Sequence, residues 1–81
     1  MSKLNREELK TEKQKHLYDL LQNIAKQKNY FDADTFVYCN VLKMNTKEKQ
    51  DKMIEAIEID GLNDISKINL LGVYISRGLE Y

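Results

Sequence analysis

Apolar residues recur along this chain at intervals of three and four rather than two, so helix is the element the pattern favours throughout. Asn5 followed by Glu8 has the spacing of a capping box and predicts a first helix running to about Lys28. The run KQKNYFDAD then breaks the pattern. Asp32 predicts the cap of a second helix that ends at about Lys43. Asn45 with Glu48 predicts the start of a third that ends at Asp60 and Gly61, and Asn63 the start of a fourth that ends near Gly78. Four helices joined by short turns predict an all-α, compact helical bundle, with residues 1–81 forming a single domain.

Turning each helix by about 100° per residue assigns its faces. In the first helix Leu17, Leu20, Leu21 and Ile24 share one stripe, but Lys10 and Lys13 fall on the same stripe one or two turns earlier. A continuous helix would therefore extend past its own core, and residues 1–16 are expected to form a charged overhang in which about a dozen helical residues project ~18 Å at about 1.5 Å per residue. The third helix turns Met53, Ile54, Ala56 and Ile57 inward and Asp51, Lys52, Glu55 and Glu58 to water. In the fourth, Ile65, Ile68, Leu71, Gly72 and Ile75 form the core stripe, with Gly72 allowing a neighbour to come close. Leu70, Val73 and Tyr74 lie off that stripe.

The second helix is harder to place, because Val37, Tyr38, Val41, Leu42 and Met44 span a broad arc with Phe36 and Cys39 beyond its edges. Asn40 and Lys43 are its main polar marks. Two readings follow. Either this helix is central and covered on a wide face by its neighbours, or part of it is shared with a partner, in which case Tyr38 and Leu42 combine with Leu70, Val73 and Tyr74 into an apolar, aromatic patch of the kind that marks association surfaces.

Composition narrows the class of protein. A domain of this length buries only about 60% of the surface its unfolded chain exposes, so its core is thin. Lys plus Arg and Asp plus Glu each number 13, so no whole-chain field draws in nucleic acid or anionic lipid. The charge is uneven, however: bases outnumber acids before Asn29, whereas Glu55, Glu58, Asp60 and Asp64 lie in a stretch without a base. With one cysteine, no internal disulfide or cysteine-based zinc cluster can form, and a reducing compartment is the simplest setting. No run approaches the ~18 apolar residues of a membrane span, and MSKLNREELK lacks the apolar centre of a signal peptide, so a soluble, cytoplasmic protein is expected. Abundant Lys, Asn and Ile without Pro or Trp is a composition associated with AT-rich bacterial or phage genomes.

The chain offers little from which to build a catalyst. His16 and Cys39 fall on different helices, and the expectation is a partly exposed His16 and a Cys39 buried as a small hydrophobe. The two are too few for a zinc site. DADTF has two carboxylates spaced like the start of a calcium loop, but the turn glycine and the distal glutamate are missing. The three glycines are isolated, so no phosphate-cradling loop is present. No catalytic, cofactor-binding or metal residues are assigned.

Nucleic-acid binding is the alternative from another class. Its footprint would be Lys3, Arg6, Lys10, Lys13 and Lys15, yet Glu7, Glu8 and Glu12 are interleaved with them, the pattern of a solvated mixed-charge face. The segment from Asp32 to Ile59 lacks the arginine and amide cluster that would read base edges. The expected function is thus a small non-enzymatic protein-binding module: an adaptor, regulator or inhibitor, of phage or mobile-element type. Its partner would be another protein or a second copy, held by Tyr38, Leu42, Leu70, Val73 and Tyr74, with Arg6, Lys10 and Lys13 of the overhang guiding orientation. A small helical DNA-binding transcriptional regulator is the rival.

Overall fold

A computed structural model describes residues 5–78 of the chain. Asn5 caps only a single 3-10 turn, Arg6–Glu8, its side chain accepting the Glu7 N–H at 3.0 Å. The backbone is then extended at Leu9, and the first α-helix, α1, spans Glu12–Gln27. The expected helical overhang is therefore not formed over the described residues; residues 1–4 lie outside them. The physical reason is the stripe conflict itself. A continuous helix would have aimed Lys10 along the core face, whereas the break lets Leu9 fold down and become buried while Lys10 stays exposed. Burying a leucine is worth about 1.5–3 kcal/mol, more than the few backbone bonds of an exposed helical turn contribute.

The start of α1 follows from TEKQ. Thr11 Oγ1 accepts the Gln14 N–H at 3.1 Å, and Gln14 Oε1 accepts the Lys10 N–H at 3.2 Å, so two otherwise orphaned donors are satisfied. At the other end Asn29 takes a left-handed conformation, φ 52°, and the Asn29 and Tyr30 N–H groups donate back to the Lys26 and Ala25 carbonyls. This Schellman-type stop reverses the chain into α2, Ala33–Lys43. Asp32 precedes α2 as expected, but its side chain makes no capping hydrogen bond. Helices α3, Lys47–Glu58, and α4, Ile65–Ser76, are capped by Thr46 and Asp64, which accept from the Lys49 and Lys67 N–H groups. Each cap lies one residue beyond the predicted asparagine. Gly61, at φ 75°, turns the chain between them, where an L side chain would be strained.

The four helices form an all-α bundle in which α1 packs on α2 and α3, and α4 packs on the same two, closing a ring. Leu17, Leu21, Val37, Val41, Met44, Met53 and Ile68 are fully buried at its centre. Leu20 and the isoleucines 54, 57 and 65 are half-buried at its edges. Helix α2 buries Phe36, Val37, Asn40 and Val41, and Met44 is buried just past its end. The buried arc is thus rotated from the expected one: Phe36 and the polar Asn40 are inside, Tyr38 is half-buried and Leu42 is exposed. Among the described residues, no helix is long and apolar enough to cross a membrane.

Candidate interaction surfaces

Helices α2 and α4 meet at one buried polar contact, from which the positions of their outward residues can be read. Asn40 is completely buried on α2, and its Nδ2 donates to the Phe36 carbonyl at 2.9 Å and to Asn69 Oδ1 of α4 at 2.7 Å. Its Oδ1 has no hydrogen-bond partner among the described residues and points at Gly72, where a Cβ would lie only 2.5 Å away. Gly72 is what lets α4 approach this amide. With the Asn40–Gly72 contact setting the facing sides, Tyr38 and Leu42 each lie two residues from Asn40. They therefore sit about 160° around α2 from the seam. Leu70 and Tyr74 bear the same relation to Gly72 on α4.

The five residues expected to make one patch are consequently not brought together. Tyr38 and Leu42, the latter 47% exposed, form a short strip on the far side of α2. Leu70 and Tyr74, 56% and 39% exposed, form another on the far side of α4, one helical turn apart and in position to touch along the helix. Val73 is half-buried and turns about 100° from Gly72 toward the Asn69 side, three residues from Leu70 and so beside the α4 strip rather than the α2 one. Two exposed apolar residues were not singled out from sequence. Phe31 projects from the turn before α2, its ring 5.0 Å from that of Tyr30, which in turn meets Phe36 edge-on at 6.0 Å. Ile59, 77% exposed, ends α3. Both follow the last turn of a helix, and helical periodicity is silent there.

The basic residues assigned to steering a partner are largely engaged within the chain. Arg6 folds back to grip Asp19 through two parallel bonds, Nε to Oδ1 at 2.9 Å and Nη2 to Oδ2 at 3.1 Å. That hydrogen bonding, with the nearby negative charge of Asp19, outweighs desolvation and raises the pKa of a guanidinium already fully charged. Lys13 pairs with Asp51 of α3. Lys10 keeps an exposed side chain with no ion pair among the described residues. Lys3, from the nucleic-acid footprint, lies outside the described residues.

His16 and Cys39 sit on different seams. His16 Nε2 lies 2.9 Å from Glu58 Oε2 between α1 and α3, both side chains about half-exposed. Cys39 lines a small cleft between α2 and α4 with Tyr30, Asp32, Thr35, Phe36, Lys43 and Asn69. It is exposed rather than buried, because the place inside α2 expected for it is taken by Phe36 and Asn40. The two groups do not form a nucleophile and base. Among the described residues, no cluster of His, Cys, Asp or Glu is arranged to hold a metal ion. Compared with protein families, curated proteins and solved structures, the chain matches none.

Proposed function

We propose that this chain is a small non-enzymatic protein-binding module, an adaptor, regulator or inhibitor, that works by burying an outward apolar helical strip against a partner. The observation that carries the reading is the pair Leu70 and Tyr74. The bundle already encloses a continuous core, yet α4 holds these two large side chains one turn apart on its far side, substantially exposed. Solvent exposure of an adjacent leucine and tyrosine has no folding benefit, while tyrosine suits an interface by presenting a wide ring with a polar tip. The strip of Tyr38 and Leu42 on α2 is a second, separate surface of the same kind.

The arrangement supports the nucleic-acid reading less well. Arg6 and Lys13, two members of its footprint, are neutralised by Asp19 and Asp51. The test is affinity capture with the full chain against its Leu70→Ala/Tyr74→Ala and Tyr38→Ala/Leu42→Ala variants, each first shown by circular dichroism to keep its helices. Loss of the captured protein with one alanine pair assigns the strip. The same capture by wild type and both variants would refute the reading.

A further inference from the structure

We propose that the outer face shared by α3 and α4 is where two copies of this chain meet, α4 of one copy lying on α3 of the other. The inference rests on the reading of the Leu70–Tyr74 strip as a binding surface and names its occupant. On α4 the strip is flanked by Lys67 and Arg77, both exposed and both outside any ion pair among the described residues. No residue of α4 from Ile65 to Ser76 is acidic. The outer face of α4 is thus an apolar strip with a positive charge at each end.

The adjoining face of α3 has the opposite character. Glu48, Lys52, Glu55 and Ile59 fall within an arc of about 60° on that helix. All four are exposed, and Glu48 and Glu55 form no ion pair among the described residues. This arc begins about 40° past Asp51, which with Glu58 makes the ion pairs to Lys13 and His16 of α1. Ile59 lies about 100° beyond Glu58, on the side toward α4. An apolar residue with surplus acid therefore sits beside an apolar strip with surplus base, on two helices that pack against each other.

Complementary faces that adjoin on one molecule satisfy a two-fold axis. Rotating a second copy by 180° sets α4 on α3 twice over, so each contact is made in duplicate and the assembly closes as a dimer. Ile59 is then covered by the Leu70–Tyr74 strip of the partner, and Glu48 and Glu55 meet Lys67 and Arg77. A single foreign partner would need to match both signs of charge at once, whereas a second copy does so by construction.

The test uses the full chain and two charge-reversed variants, Lys67→Glu/Arg77→Glu and Glu48→Lys/Glu55→Lys, in sedimentation experiments with helix content checked for each. The wild type is expected to move with concentration from a mass of 9.6 kDa to twice that value. Each variant alone should dimerise at least about tenfold more weakly, since like charges then face each other. Mixed in equal amounts, the two variants should form a heterodimer, because every reversed face now meets a reversed face. A wild type that stays monomeric, a dimer indifferent to both reversals, or variants that fail to rescue each other overturns the proposal. A monomeric wild type leaves the alanine-pair capture to decide separately whether the strip binds a different protein.

Discussion

Substituting Gly72 by alanine isolates the contact that sets α4 against α2. In an unobstructed helix, alanine in place of glycine contributes about 1 kcal/mol of stability. Here the added methyl carbon would lie 2.5 Å from Asn40 Oδ1 and 3.7 Å from Met53 Cε, and 3.4 Å is where ordinary contact begins. The amide cannot swing aside cheaply, since it is completely buried and its Nδ2 is held by both the Phe36 carbonyl and Asn69. Relieving the overlap by shifting α4 costs about 1–3 kcal/mol, and stretching the Asn40 bonds adds about 0.5–1.5 kcal/mol. After the propensity gain, Gly72→Ala should be destabilising by about 0.5–3.5 kcal/mol, and each kcal/mol corresponds to about 4–8 °C in Tm for a domain of this size. The decisive comparison is the same substitution in an Asn40→Ala background. The obstacle is then absent, and Gly72→Ala should become stabilising by about 1 kcal/mol. Urea unfolding followed by circular dichroism on the four chains measures the cycle. A Gly72→Ala effect of the same sign and size in both backgrounds would refute the steric argument.

Other consequences are simpler to check. Leu9→Ala should lower stability by about 2 kcal/mol in urea unfolding, at the low end for a leucine lost from a core. Lys13→Met should leave the midpoint close to wild type, because its ion pair with Asp51 is exposed to solvent. Asp64→Ala should cost about 1 kcal/mol by removing the cap on the Lys67 N–H, whereas Asn63→Ala should have little effect; the reverse order would place the start of α4 wrongly. The exposed Cys39 should react with a thiol reagent in the native state at nearly the rate seen in denaturant, and strong native protection would contradict its position on α2.

Helix number and approximate limits were legible because amphipathic periodicity is strong in α1 and α3, where a clear apolar stripe opposes charged residues. The breaks were less so. Asn5 and Glu8 imitate a helix start, and only the competing TEKQ signature, together with the lysine that a continuous helix would place on its core face, marks the true one at Thr11. Similarly, Asn45 and Asn63 each precede a better-placed oxygen, on Thr46 and Asp64, and local spacing alone does not choose between neighbours. Helix α2 was the hardest, since its apolar residues surround most of the circumference and leave its rotation undetermined by pattern. That rotation is settled by a tertiary contact, the close approach of Gly72 to Asn40, which converts an apparent surface asparagine into a buried one and turns Leu42 outward. The same contact separates Tyr38 and Leu42 from Leu70 and Tyr74, residues that look equivalent when each helix is considered alone.

The most direct test of self-association through the outer faces of α3 and α4 is a dilution series of the full chain followed by backbone amide chemical shifts. Concentration-dependent shifts concentrated at Glu55, Ile59, Leu70 and Tyr74, with Tyr38 and Leu42 unmoved, are the predicted result. Spectra that do not change with concentration, or changes confined to Tyr38 and Leu42, would contradict it.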